Sequence, residues 1–161
     1  MFRTITRDLR IVVLMITIYQ AIHISAQSKY HIAPYDSNWF EASEYCHRMG
    51  MRLAIVDSEE KQTAIVKEAK AAELHGSGFF GVWLGATDLA RSKSFIWHST
   101  GARLRYANWG EGEPSGGNEH CVVLYYWPAQ GFNWTWNDAP CSTELYAICE
   151  NIEKTSCIQQ F

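Results

Sequence analysis

The chain has 161 residues, 47% of them apolar and 19% charged, with a net charge of −3 and an isoelectric point near 6.0. That length suits one domain with a substantial core and is too short for two comfortable ones. The acidic balance leaves no electrostatic footprint for phosphate backbones or anionic membrane surfaces, which argues against nucleic acid as a partner.

At the start, Arg3, Arg7 and Arg10 precede the apolar run Ile11 to Tyr19, and the smaller residues Ser25 and Ala26 follow. This pattern predicts a secretory signal peptide over 1–26, with cleavage near Ala26 although Ile24 is not the small residue the site prefers. A bilayer-spanning helix takes about 20 apolar residues, and Gln20 and His23 interrupt this run, so an uncleaved anchor is the weaker alternative. Export makes the cysteines readable as disulfides. Cys46, Cys121, Cys141, Cys149 and Cys157 are an odd set; spacing leaves the connectivity open, and Cys157 is the natural orphan, able to link two chains.

Tyr30 to Tyr35, with Pro34, suits an edge strand. Ser37 or Asn38 then caps a helix with apolar or aromatic positions at Trp39, Phe40, Ala42, Tyr45, Cys46 and Met49, stopped by Gly50. Met51 to Val56 reads as a strand. Asp57 or Ser58 caps a second helix with Glu59 and Glu60 in its first turn; Ala64, Ile65, Ala69 and Ala72 form its apolar face, and it should end by His75-Gly76. Gly76-Ser77-Gly78-Phe79-Phe80-Gly81 matches a dinucleotide fingerprint in letters only, because the helix precedes it and a strand follows.

Further strands are expected over 80–85, 95–97, 104–109, 121–126 and 146–149, giving an α+β domain with two helices packed on antiparallel sheet. Trp109 to Asn137 reads as a long irregular region, a feature that in a compact domain is usually functional. Within it, Glu113, Ser115 and Glu119, together with Asn137 and Asp138, offer the carboxylate, hydroxyl and amide oxygens that Ca²⁺ collects. Pro114 can take a cis peptide bond, which would turn Glu113 and Ser115 towards one point. The histidines lack zinc-hydrolase spacing and no Gly-x-Ser-x-Gly elbow occurs, so enzyme activity is not expected. A glycan hydrolase would need a carboxylate pair free of metal. Asn133-Trp134-Thr135 is an acceptor pattern for N-glycosylation.

These features together resemble the C-type lectin-like domain over roughly Tyr30 to Glu150. The likeness is carried by Asn38 to Ala42 leading to Cys46, Val82-Trp83-Leu84-Gly85, Thr87-Asp88, Asn108-Trp109, Glu113-Pro114-Ser115, Glu119-His120-Cys121, Trp136-Asn137-Asp138 and Cys149-Glu150. The resemblance implies a domain over 27–152 with a tail at 153–161, and the pairs Cys46–Cys149 and Cys121–Cys141. It also implies one calcium ion held by Glu113, Ser115, Glu119, Asn137 and Asp138, and sugar hydroxyls bound there by Glu113, Ser115, Glu119 and Asn137.

Ser115 departs from the pattern. Mannose-type members carry asparagine at that place and galactose-type members carry Gln-Pro-Asp; Glu113 leans the reading towards mannose. Trp127, Phe132 and Trp134 could stack on galactose, but packing is the better reading of these aromatics. The family's auxiliary calcium site is expected to be absent or weak: Asp88 fits it, while Ser92, Gly116 and His120 stand where acids would help. His120 could instead make binding pH-dependent. The leading expectation is a secreted, calcium-dependent carbohydrate-binding lectin. The alternative is a lectin-like domain with a weakened calcium site that recognises a protein.

Overall fold

The computed structural model describes residues 12–15, 29–72 and 78–152. The cleavage region, His75-Gly76 and the tail with Cys157 lie outside the described residues. The elements are β1 (Tyr30–Ile32), α1 (Trp39–Arg48), β2 (Met51–Leu53), α2 (Glu59–Ala71), β3 (Phe80–Thr87), β4 (Ile96–Trp97), β5 (Cys121–Trp127), β6 (Phe132–Ala139) and β7 (Tyr146–Asn151). The α+β class expected from the sequence is what forms.

Local chemistry sets both helix starts. The Asn38 side chain accepts from the amides of Phe40 (3.1 Å) and Glu41 (3.2 Å), satisfying donors that the first turn leaves without partners. Ser58 Oγ accepts from the Lys61 amide at 3.3 Å. Helix α1 buries Trp39, Ala42 and Cys46, a three-to-four spacing that forms one stripe. Phe40 and Met49 stay exposed, since the first lies off that stripe and the second caps the helix.

The sheet runs β1-β7-β3-β5-β6, with β2 also on β7 and β4 on β3. Every pairing is antiparallel except β3 with β7, so the sheet is mixed. Strand β3 is buried along its whole length, and its alternation divides the core. Val82, Leu84 and Ala86 pack on the face that receives Ile65 and Ala69 of α2; Trp83 packs on the other with Trp39, Ala42 and Cys46 of α1. Gly85 permits this layering, because a Cβ there would stand 2.8 Å from the Leu53 carbonyl oxygen.

Disulfides join Cys46 to Cys149 and Cys121 to Cys141, across sequence separations of 103 and 20. Loop-closure entropy assigns roughly 4 to 5 kcal/mol to the first and about 3 to the second in the chain-entropy model.

Two expectations are corrected. The run 104–109 is not a strand; it makes only an isolated bridge at Trp109 to Trp136, because Leu104, Tyr106 and Trp109 turn their side chains onto the core. The region Trp109 to Asn137 is not irregular throughout: Phe132–Ala139 forms β6 on β5, and the stretch without regular structure is 98–120, broken only by isolated bridges.

A bulge between β5 and β6 shifts the register at Trp134, with Tyr125 opposite Thr135 and Tyr126 opposite Asn133. Trp134 takes φ 61°, and its carbonyl accepts from Gln62 Nε2 (2.9 Å) and Asn108 Nδ2 (3.1 Å). Gln62 Oε1 accepts from Trp136 Nε1 at 2.8 Å. This buried amide, 4% exposed, therefore fastens α2 to β6, a contact the expected apolar face of α2 omitted.

Replacing Gln62 by Leu leaves the Trp136 indole donor buried without its acceptor. We expect a loss of about 2 to 3 kcal/mol, measured by urea denaturation with the disulfides intact, against less than about 0.5 kcal/mol for Thr63→Ala on the exposed side of the helix.

Candidate metal centre

Residues 110–120 cross the end of the β5–β6 hairpin, and few contacts fix their path. The Gly110 amide donates to the Trp136 carbonyl (2.8 Å), and the Trp136 amide donates to the Asn108 carbonyl (2.7 Å). The Glu113–Pro114 peptide bond is cis, and Gly116 and Gly117 take φ 80° and 74°, values that glycine adopts without a Cβ penalty. The turn brings the Ser115 and Gly116 amides onto Asp138: Ser115 N donates to Oδ1 at 2.8 Å and Gly116 N to Oδ2 at 2.9 Å. Asp138 lies on β6 and is fully buried.

Glu113 and Glu119 complete the cluster, with oxygens of these two and Asp138 within 4.8 Å of one another. Glu113 Oε2 shares the Ser115 amide with Asp138, also at 2.8 Å. The Ser115 hydroxyl donates to Glu119 Oε2 at 2.6 Å, so its single proton is spent on a carboxylate and its lone pairs remain. Among the described residues, no lysine or arginine forms an ion pair with any of the three acids. Asn137, the next residue back from Asp138, keeps its Oδ1 buried without a hydrogen-bond partner among the described residues.

The electrostatics follow. Glu113 is raised above the ordinary glutamate range, first by burial and then by the nearby Asp138 charge, while its bonds from Ser115 oppose the shift. Burial pushes the Tyr125 phenol up to about 12, with the Glu119 charge adding to the effect. Three hard anionic oxygens that lack a cationic partner among the described residues, with an orphaned amide oxygen next in the chain to one of them, fit a divalent cation such as Ca²⁺. They do not fit a soft or thiolate-seeking metal.

The structure thus brings Glu113, Ser115, Glu119 and Asp138 together and puts Asn137 at their edge in the chain. It also shows two partners that residue types alone do not reveal, the Ser115 and Gly116 amides. Asp88, 2% exposed, meets the His120 ring at 2.8 Å and accepts the Lys93 amide. Of the loop aromatics, Trp134 is buried and stacks on Tyr126, Phe132 stands edge-on to Tyr125, and Trp127 lies partly exposed against Phe79.

A family model described as "Lectin C-type domain" matches residues 35–151. Salivary C-type lectin 1 of Aedes albopictus is 43% identical over 118 residues, covering 72% of this chain and 77% of that protein. Among solved structures, the human scavenger receptor C-type lectin carbohydrate-recognition domain aligns with a TM-score of 0.63 at 26% identity, covering 76% of this chain and 88% of that one. The cow C-type carbohydrate-recognition domain of CD23, solved in the presence of a GlcNAc2Man3 oligosaccharide, gives 0.61 at 29% identity, covering 78% and 90%.

With helices on both faces of a mixed sheet and an acidic loop at the end of its hairpin, the chain belongs to the C-type lectin domain family. That family is one of carbohydrate-binding, non-enzymatic domains.

The raised Glu113 pKa has a sign. A carboxylate whose folded value exceeds its unfolded one costs nothing while protonated in both states, and destabilises the fold as pH rises through that higher value. In chelator, Glu113→Gln should therefore melt above the wild type at pH 7.5, and the difference should vanish below about pH 4, under the ordinary glutamate value. Thermal scans across that range check it.

Proposed function

We propose that the domain binds neutral sugars through one calcium ion held by Glu113, Ser115, Glu119, Asn137 and Asp138, with a mannose-type preference. The observation that carries this reading is the unneutralised cluster of three acids within 4.8 Å of one another, lying next in the chain to the orphaned Asn137 oxygen. A bound calcium supplies coordination positions that two adjacent sugar hydroxyls can fill in place of water. Glu113 and Glu119 accept the hydroxyl protons, and the Asn137 amide nitrogen donates to a hydroxyl lone pair. Asp138 stays with the loop amides and holds the site together. Ser115 lacks the NH₂ of an asparagine, so it orients Glu119 and offers oxygen alone.

The wider reading goes with this one. A signal peptide over 1–26 would deliver the 27–152 domain outside the cell, in line with the salivary relative's name. No helix among the described residues is long and apolar enough to cross a membrane. Asn133 is exposed at the start of β6, where a glycan would meet solvent. Cys157, outside the described residues, would link two chains and present paired sites, which raises avidity for a weak single site.

The test is retention on mannose and galactose resins in calcium, followed by chelator. We expect chelator-reversible retention, stronger on mannose, and its loss in Glu113→Ala. Calcium at about 100 times its dissociation constant should add roughly 2.7 kcal/mol to stability. Folded protein that neither resin retains, and that calcium does not stabilise, would overturn the reading in favour of protein recognition.

A further inference from the structure

Charge is unevenly spread along this acidic chain. Residues 89–110 contain Arg91, Lys93, Arg103 and Arg105 and no aspartate or glutamate. Among the described residues, none of these four side chains forms an ion pair. Arg52, by contrast, is committed to buried Glu150 at 2.8 Å, and Lys61 to Asp57 at 2.9 Å.

The fold gathers three of the four on one groove. Trp97 N donates to the Ala102 carbonyl and Leu104 N to that of Phe95, and Ile96 bridges Arg103 antiparallel. This small hairpin turns half-buried Leu104 inward onto the core and leaves Arg103 and Arg105 exposed on either side of it, as extended backbone alternation requires. Arg103 Nη1 donates to Ser94 Oγ at 2.8 Å, which fixes its guanidinium. Lys93 takes φ 60°, a conformation costly for a side-chain-bearing residue, and its amide is held by Asp88. Its Cε passes 3.6 Å from where a Gly116 Cβ would stand.

A concavity of about 310 Å³ opens here, lined among others by Lys93, Arg103, Arg105, Tyr106, Trp109 and Pro114. Its size falls at the lower end of ligand pockets, ~300–1,000 Å³. Pro114 is the cis-linked residue between Glu113 and Ser115, so the groove and the metal centre share a wall. Tyr106 donates to Glu59 at 2.7 Å, and burial together with that bond pushes its phenol up to about 12. The ring is therefore a neutral, fixed surface at physiological pH.

Guanidinium forks pair with planar or tetrahedral anions in two-point contacts, and aromatic rings offer the apolar faces on which sugar rings rest. We propose that this groove is a subsite for an anionic saccharide residue, a sulfate ester or a uronate, on a glycan whose neighbouring unit occupies the metal centre. The proposal rests on the carbohydrate reading for the neighbouring unit; the anion contacts themselves need no calcium. Arg103 and Arg105 hold the anion, Lys93 adds a third charge on the side of the metal loop, and Tyr106 and Trp109 carry the ring.

The experiment uses the full chain exported with its disulfides formed. Binding is measured to immobilised dextran sulfate, hyaluronan, neutral dextran and polyuridylate, each with calcium and with chelator. Dextran sulfate carries sulfate without uronate, and hyaluronan carries uronate without sulfate, so the two separate the sources of the anion. We expect salt-sensitive binding to at least one of them, surviving in chelator, and little to neutral dextran. Arg103→Gln with Arg105→Gln should weaken it roughly tenfold or more, while leaving retention on the neutral-sugar resin and the melting temperature unchanged. Should the double variant fold poorly, Arg105→Gln and Lys93→Gln alone should each lose about threefold, within the range for a single exposed charge contact.

Several results would overturn the subsite: wild-type protein that binds neither anionic polymer, variants that bind as the wild type does, Lys67→Gln on α2 losing as much, or polyuridylate held as strongly. Failure of the calcium reading is separate, because it would abolish neutral-resin retention and leave the arginine-dependent binding in place.

Discussion

Asp138 carries the constraint on which the site depends. Its carboxylate is buried at the end of β6, where an unpaired charge would be costly, and the two amides it accepts come from 22 and 23 residues earlier in the chain. The loop supplies those donors only if the Glu113–Pro114 bond and the two following glycines turn it as they do. Loop and strand therefore fix each other. The hairpin sets the carboxylate to the sheet, and the carboxylate sets a stretch that has almost no regular hydrogen bonding of its own.

Beneath that contact, β7 makes the scaffold rigid. It pairs with β1 along one edge and with β2 and β3 along the other, and Cys149 on it is bonded to Cys46 of α1. The opposite face is closed by α2, whose Gln62 reaches the bulge at Trp134 and the indole of Trp136. Trp136 in turn exchanges backbone hydrogen bonds with Asn108 and Gly110. A chain of direct contacts thus runs from α2 through β6 to the start of the acidic loop.

The parts legible in the sequence are those governed by local rules. Asn38 and Ser58 announce their helices because capping is decided within three residues, and Val82 to Leu84 announce a buried strand by composition. Long-range partners are harder. Strand β6 was hidden because Asn133, Thr135 and Asn137 alternate with tryptophans and resemble a polar loop, and because the bulge at Trp134 breaks the pairing that would define it. The run 104–109 misled in the other direction, its aromatic residues being partly buried by packing with no more than an isolated bridge at Trp109. Gln62 could not be read as a core residue, since a polar side chain on an apolar face makes sense only once Trp134 and Trp136 are beside it. The acidic cluster was legible as residue types and through family resemblance, but its like-charge repulsion and the amides that relieve it depend on the loop's path.

That path also sets acidic and basic side chains on either side of Pro114. Glu113 faces the acidic cluster, while Pro114, joined to it by a cis bond, is a wall of the groove that Lys93, Arg103 and Arg105 line. The acidic cluster and the basic groove then meet at Pro114, and among the described residues no ion pair joins them; the intervening loop is tied down by Asp138 and Lys93 by Asp88. Had either anchor been absent, the opposite charges would be free to neutralise each other, and both surfaces would lose their pull on a ligand. Charges left unneutralised on each surface favour a ligand that brings the counter-charge, as the proposed calcium ion and anionic saccharide would.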